Sequence, residues 1–153
     1  MKVKQRFSIF CYALIVMVAV LAFNACSKDD PDNIFTFVAP LTGTDAIPSN
    51  STIAEGYCNV TYDSIDNRLS FTITWEKLTG VPTAVNFQAP VSGGGFTNIP
   101  VTEFPADITS GASGYLNISQ ADEPALINNN FFVNISTATY SDGEIRGQLK
   151  EPQ

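Results

Sequence analysis

Hydrophobic and polar residues alternate in short runs from residue 34 onward. The clearest run is 69–76, in which Leu69, Phe71 and Ile73 alternate with serine and threonine. A period of two, in runs rich in β-branched and aromatic residues, is typical of a strand that buries one face. The same pattern predicts further strands at 35–39, 58–62, 84–89, 96–101, 114–119, 131–137 and 144–150.

Turn-forming residues separate these runs. Asp66-Asn67 favours a turn between the second and third strands, and residues 141–143, Ser-Asp-Gly, favour a hairpin between the last two. A short helix is predicted over 120–127, with Ser119 as its N-cap and the asparagines 128–130 at its end. The pattern as a whole predicts an all-β fold, a Greek-key β-sandwich of seven or eight strands with one short helix.

The first 25 residues follow a different pattern. Three basic residues, Lys2, Lys4 and Arg6, precede an apolar run over 9–23, and a small residue stands directly before Cys26. This order is typical of a secretory signal, and the apolar run is shorter than the roughly 20 residues of a membrane span. The sequence therefore predicts a signal peptide over 1–25.

Cys26 gives this signal a more specific interpretation. Residues 1–26 resemble a bacterial lipoprotein signal, which implies cleavage before Cys26 and acylation of its sulfur, with palmitate among the expected lipids. The polar stretch 26–33 is predicted to be a flexible tether, and it resembles the export tether of Bacteroidetes lipoproteins. An ordinary secreted protein and an uncleaved anchor are the alternatives. The lipoprotein interpretation places residues 34–153, the predicted domain, in the cell envelope, anchored to the outer membrane and either periplasmic or surface-exposed.

Composition then narrows the chemistry. The 153 residues contain no histidine, 8 basic and 15 acidic side chains, and a net charge of −7. Without histidine there is no Ser-His-Asp or Cys-His machinery and no histidine-ligated metal. The acidic balance argues against nucleic acid as a partner. Removal of residues 1–25 takes away three basic groups, so the remaining chain would carry about −10.

The three cysteines have separate expected fates. Cys11 leaves with the signal and Cys26 is acylated, so Cys58 is left without a partner for a disulfide. Cys58 falls in the apolar phase of its strand and is predicted to be a buried thiol. No histidine is available to activate it as a nucleophile. We therefore expect no enzyme activity, no catalytic residues and no cofactor.

The C-terminal strands carry a family resemblance. Residues 132–137 and the block 143–149, Gly-Glu-Ile-Arg-Gly-Gln-Leu, resemble the closing "YVNVHT … GEIRGQL" pattern of chordin-type (CHRD) domains, and 37–42 resembles their opening. The resemblance covers about residues 35–150. It implies an extracytoplasmic β-sandwich of immunoglobulin-like or superoxide-dismutase-like topology. The best-known members of this family bind other extracellular proteins.

The chain departs from the family where the resemblance implies three histidines. Asn86, Gln88 and Ser136 stand at those positions. Residues 86 and 88 share one face of a strand, and amide and hydroxyl groups bind transition metals poorly. We therefore expect no metal here. A hydrogen-bonded polar cluster is expected instead, with contact to an unknown ligand as the alternative.

The block 143–149 also has two interpretations. Glu144 and Arg146 are expected to share one strand face. They are predicted to act as an ion pair or a hydrogen-bonded staple that holds the last strand, because the arginine fork suits bidentate contacts. Recognition of a charged partner is the alternative. Gly143 and Gly147 complete this structural motif.

Two other regions leave similar choices open. Trp75 is expected in the core, with a sugar platform as the alternative. Asp63, Asp66 and Asn67 are expected to form a solvated turn, with calcium contact as the alternative. Residues 63–65 also resemble a Bacteroidetes O-glycosylation signal.

These observations favour a membrane-anchored lipoprotein with a non-enzymatic binding or adhesion domain. Its expected partners are the membrane, through the lipid anchor, and an extracellular protein or glycan. The second hypothesis is a carbohydrate-binding module of a surface glycan-uptake system, which requires Tyr115, Tyr140 or Phe96 to lie outside the core. The third is a metal protein of the dismutase type.

Overall fold

The computed structural model describes residues 33–102 and 108–152. The predicted signal, Cys26 and the tether up to residue 32 lie outside these residues. Asn33 is described, and its carbonyl oxygen accepts hydrogen bonds from the backbone N–H and the hydroxyl of Ser64, at 3.0 and 3.3 Å. In the described ranges, no helix has the length and apolar character to cross a membrane.

The described chain forms eight strands and one short helix. They are β1 (Ile34–Thr42), β2 (Glu55–Asp63), β3 (Arg68–Glu76), β4 (Pro82–Pro90), β5 (Phe96–Ile99), β6 (Ala112–Asn117), α1 (Glu123–Ile127), β7 (Phe132–Thr137) and β8 (Ile145–Gln148).

All eight strands pair antiparallel in one sheet, in the order β5-β4-β7-β8-β1-β2-β3-β6. The predicted hairpin of β2 and β3 is present, with Val60 opposite Phe71. Asn67 in its turn has a φ of 52°, the left-handed conformation that asparagine tolerates. The last two strands also pair directly, with Ile135 opposite Ile145.

The sheet curls so that its two halves face each other. Phe71 in β3 and Phe87 in β4 have ring centroids 4.7 Å apart, although β7, β8, β1 and β2 lie between their strands in the sheet. The alternate apolar residues meet in the space between the halves, as their period of two requires. The all-β fold class predicted from the sequence is confirmed, as one curled antiparallel sheet with a short helix. The largest fully buried side chains include Phe37, Tyr62, Leu69, Ile73, Phe87, Leu116, Phe131 and Ile135.

Two strand boundaries differ from the prediction, and both lie near a proline. β1 continues past the predicted end at residue 39 to Thr42, with Pro40 opposite Tyr57 and exposed, and with Leu41 on the buried face. β5 stops at Ile99, directly before Pro100, and not at the predicted residue 101. Proline lacks the backbone donor that a strand ladder needs.

The helix is shorter than predicted. The N–H of Asp122 bonds to the Ser119 hydroxyl oxygen at 3.2 Å, so Ser119 caps a turn before α1, and the helix itself begins at Glu123. Its end follows the prediction, because Asn129 has a φ of 59° and the N–H of Asn130 bonds to the carbonyl of Ala125 at 2.7 Å. This pattern is a Schellman motif with asparagine in the left-handed position.

Candidate functional site

Three adjacent strands, β4, β7 and β8, present polar residues on the face opposite the core, which we call the outer face. Their alternate positions, such as Phe87 and Ile135, fill the core. Asn134 lies at the centre of the outer face, opposite Asn86 on one side and opposite Arg146 on the other. Strand register therefore brings the last arginine of the chain beside the predicted polar positions of β4.

Arg146 is the unusual residue of this face. Its side chain is a cation, but the residue is only 5 % exposed. The guanidinium carbon lies 3.8 Å from the centroid of the Phe132 ring and 4.6 Å from that of Phe96. The two rings contact each other edge to face, with centroids 4.9 Å apart. Aromatic faces attract a guanidinium group, so the two rings help to stabilise the positive charge of a side chain that is largely shielded from solvent.

The hydrogen-bonding capacity of Arg146 is mostly unused. Its Nε donates to Oε1 of Gln88 at 3.3 Å. Its Nη2 is buried and has no acceptor in the described part of the chain, and Oδ1 of Asn134 is buried without a donor there. Burial lowers the pKa of Arg146, and the negative charge of Asp45 opposes this change. An arginine side chain stays protonated in proteins, so the site holds a permanent positive charge.

A cleft of about 180 Å³ opens beside this side chain. Asp45 stands at the cleft, and its carboxylate accepts a 2.7 Å hydrogen bond from the hydroxyl of Thr42. Lys150 lies in the same wall and is exposed. We call this feature the Arg146 cleft, and its lining residues are Pro40, Asp45, Phe132, Arg146, Gln148 and Lys150.

The predicted polar cluster occupies the outer face, but its members have separate partners. Gln88 donates to Oδ1 of Asn98 at 3.1 Å and accepts from Arg146. Ser136 is buried and pairs with Ala84 in the strand register. Within the described ranges, no hydrogen bond joins Asn86, Gln88 and Ser136. The positions with unmet polar groups are the neighbouring Asn134 and Arg146.

Glu144 is a second buried charge, on separate partners. Its Oε1 accepts from the hydroxyl of Thr52 and the N–H of Thr79, both at 2.9 Å. Its Oε2 accepts from the hydroxyls of Thr79 and Thr137, at 2.8 and 2.7 Å. Burial alone would raise the pKa of Glu144, but these hydrogen bonds outweigh it, so the pKa lies below its usual value.

Glu144 therefore ties the β7–β8 corner to the loops before β2 and after β3. It does not form an ion pair with Arg146. The one ion pair among the described residues joins Lys77 to Glu76. The two charges of the block 143–149 thus have separate roles. Both carboxylate oxygens of Glu144 accept hydrogen bonds inside the fold, whereas Nη2 of Arg146 has no acceptor among residues 33–102 and 108–152.

The two glycines of this block are fixed by close contacts. A Cβ atom at Gly143 would collide with the side-chain amide of Asn134, and its φ of 148° is rare for other residues. A Cβ atom at Gly147 would collide with the carbonyl oxygen of Pro40 in β1. The absence of a side chain at both positions lets the last hairpin lie close to its neighbours.

A family model for the CHRD domain matches residues 37–149 of this sequence. The chain belongs to the CHRD domain family. The match runs from Phe37 in β1 to Leu149, so it includes the outer face, the Glu144 contacts and every lining residue of the Arg146 cleft except Lys150. CHRD domains are in general binding-type modules. Neither the curated proteins nor the solved structures contain a match to this chain.

Two other residues for which the sequence suggested a position, Cys58 and Trp75, have structural roles in the domain. Cys58 is fully buried, and burial raises the pKa of its thiol to about 12. Trp75 is half-buried and packs against the core. Ser110 holds its backbone, accepting from the N–H of Trp75 and donating to its carbonyl, both at 2.9 Å.

Hydrogen bonds from its own backbone N–H groups hold the turn that contains Asp63 and Asp66. Oδ1 of Asp63 accepts from the N–H groups of Ile65 and Asp66, at 2.9 and 3.3 Å. Such bonds are typical of an Asx turn. No group of three or more Asp, Glu or Cys side chains that could hold a metal ion is found in the ranges 33–102 and 108–152.

The sequence reasoning missed several residues of the site. Asn134 and Phe132 lie two and four positions before Ser136, so the period of two in β7 was a signal that could have found them. Asp45 and Lys150 gave no such signal, because they come from opposite ends of the domain. Two of the three threonines that hold Glu144, Thr52 and Thr79, come from separate loops, and nothing in their local sequence marks them.

Proposed function

We propose that this chain is a lipid-anchored, extracytoplasmic binding module without enzyme activity. The observation that carries the proposal is the Arg146 cleft, in which a buried guanidinium retains unused donors next to an opening. Membership of the CHRD family supports a binding role. The bound partner is an envelope or extracellular component that reaches the outer face.

The anchoring part of the proposal rests on the first 26 residues. A basic start, an apolar run and Cys26 after a small residue are what a lipoprotein signal requires. Each buried acyl CH₂ contributes about 0.8 kcal/mol, so several chains on one cysteine hold a protein stably at a membrane. The polar stretch 26–33 then separates the lipid from β1. We propose the outer membrane as the site of anchoring.

The binding surface is distinct from the rest of the molecule. The expected mature chain has only five basic side chains among fifteen acidic ones, and two of the five, Arg146 and Lys150, line one cleft. Phe96 lies beside Arg146, with its ring centroid 4.6 Å from the guanidinium carbon, and is 40 % exposed. A cation, an apolar ring and an opening in one place are the usual components of a recognition site.

Carbohydrate binding is the second candidate. The observation that favours it is the exposure of Phe96, because sugar rings stack on aromatic side chains at a surface. Tyr115 and Tyr140 are half-buried and also lie outside the core. Phe96 also contacts Phe132, with ring centroids 4.9 Å apart, and the guanidinium of Arg146. A sugar that stacks on Phe96 would therefore also lie near these two residues.

Anchoring is tested by comparing the full chain with its Cys26→Ala variant in a host that processes lipoproteins. We expect the parent chain to incorporate labelled palmitate and to stay in the membrane fraction, and the variant to do neither. Equal membrane association of both, without label, would contradict the lipid anchor.

Binding is tested by exposing the full chain to isolated envelope glycans and envelope proteins. The variant Phe96→Ser should lose captured ligand. Tyr57→Ser is the matched control, because Tyr57 is also 40 % exposed but lies on β2. Capture that is absent in the parent chain, or equally affected by both substitutions, would refute a binding role for the outer face.

A further inference from the structure

We infer that the Arg146 cleft binds a carboxylate group. The inference rests on the proposed binding function and names its ligand class.

The unused donors of Arg146 are the starting point. A guanidinium carries five N–H donors, and in the described chain Nε is the one nitrogen of Arg146 with an acceptor. The residue is 95 % covered and Nη2 is buried, so water cannot freely satisfy the donors of Nη2. A buried charge without acceptors is costly. A ligand that brings two acceptor oxygens would remove this cost.

The surroundings of the guanidinium favour a flat ligand. The ring centroids of Phe132 and Phe96 lie 3.8 and 4.6 Å from its central carbon and 4.9 Å from each other, so both rings lie toward one side of the guanidinium. Its N–H donors lie in its own plane, so its hydrogen bonds form at the edge of that plane. Gln88 occupies the Nε position on that edge. The remaining fork suits a planar carboxylate, whose two oxygens accept side by side from an arginine.

The charge balance of the cleft favours one negative charge. Arg146 and Lys150 contribute two positive charges, and Asp45 contributes one negative charge. A single carboxylate completes this balance, whereas a doubly charged phosphate would meet stronger repulsion from Asp45. The cleft of about 180 Å³ also exceeds the space that one water molecule requires, about 30 Å³ of liquid volume.

The carboxylate can come from an acidic side chain of a partner protein or from an acidic sugar. Both present the same group to Arg146. N-acetylglutamate α-amide, with one carboxylate, represents the first source and glucuronate the second, and inorganic sulfate tests whether a tetrahedral anion competes. The binding of each probe to the full chain in detergent micelles is measured by calorimetry and by chemical shifts, in a buffer free of carboxylates.

We expect at least one carboxylate probe to bind more tightly than sulfate. Arg146→Gln should weaken this binding at least tenfold. Arg68→Gln is the matched control, because the guanidinium carbon of Arg68 lies 3.9 Å from the Tyr115 ring centroid but is exposed on β3. It removes the same charge and an equivalent ring contact, and it should leave the affinity unchanged.

Two exposed positions test the inference if Arg146→Gln does not fold. Asp45→Asn removes the negative charge and should tighten carboxylate binding, whereas Lys150→Gln should weaken it, each by about two- to fivefold. The opposite signs distinguish a carboxylate in this cleft from a carboxylate elsewhere. No binding of either probe, tighter binding of sulfate, or equal affinities in both variants would overturn the inference.

The two proposals fail in different ways. If envelope ligand is captured through Phe96 but the carboxylate probes do not bind, the carboxylate assignment is wrong and the binding module stands. If no envelope ligand is captured and no probe binds, both are wrong.

Discussion

The hydroxyl of Thr137 donates a 2.7 Å hydrogen bond to Oε2 of Glu144, seven residues further along the chain. This bond crosses the mouth of the β7–β8 hairpin, where Thr79 and Thr52 reach the same carboxylate. Three segments that are distant in sequence therefore meet at one buried anion. Its four donors replace the water that the charge loses on folding.

We expect Glu144→Ala to lower the free energy of unfolding by roughly 3–5 kcal/mol, because it leaves several buried donors without an acceptor. Urea unfolding of the purified chain measures this change. Glu55→Ala is the control, since Glu55 is exposed, and it should change the stability by less than about 0.5 kcal/mol. Equal effects of the two substitutions would contradict the role given to Glu144.

The stability that Glu144 provides should depend on pH. Its pKa in the folded chain lies below the usual 4.5, so the unfolded state binds more protons as the pH falls below that value. The contribution is therefore complete above about pH 4.5 and decreases as the pH falls through the folded pKa. The stability difference between the parent chain and Glu144→Gln should shrink between pH 7 and pH 3. A constant difference would refute this prediction.

Gly147→Ala should destabilise the domain by roughly 3 kcal/mol, because the added Cβ atom would displace the carbonyl of Pro40. Gly80→Ala is the matched control, since a Cβ atom at Gly80 meets nothing within 4 Å. Thermal or urea unfolding should show a large loss for the first variant and almost none for the second. A tolerated Gly147→Ala would mean that β1 and β8 are further apart than described.

Cys58 should be inert in the native state. Its pKa of about 12 leaves about one thiol in ten thousand ionised at pH 8, and the residue is fully buried. In a chain with Cys11→Ser and Cys26→Ala, a thiol reagent should label Cys58 only after unfolding. Adding Thr61→Cys, an exposed position on β2, provides a thiol that should react at once. Rapid native labelling of Cys58 would contradict its burial.

Much of the fold could be predicted because apolar residues occupy every second position of each strand that buries one face. Leu69, Phe71 and Ile73 all lie in the core, as their alternation requires. The sequence did not predict that β1 continues beyond Pro40, because local rules treat proline as the end of a strand. In the structure the pairing with β2 continues through Pro40 to Thr42, and Gly147 leaves room for the Pro40 carbonyl.

The site was less predictable, because its contacts depend on strand order. The sequence suggests Arg146 and Glu144 as partners, since they are two residues apart on one strand. In the curled sheet Arg146 instead contacts Gln88 and the aromatic rings of β5 and β7. Glu144 accepts hydrogen bonds from threonines, two of which lie in loops. Spacing along one strand cannot show which loops reach its face.

The pairing of β1 with β8 has a consequence for the chain during synthesis, before the domain is folded. Thr42 pairs with Arg146, and Val38 bridges to Lys150. The first strand of the domain can therefore complete its pairing only when the last strand is present. Until residues 145–150 are synthesised, one edge of β1 keeps unpaired backbone groups. Such an edge is a template for pairing with another molecule. We therefore expect a chain that lacks residues 145–150 to aggregate more readily than the complete chain.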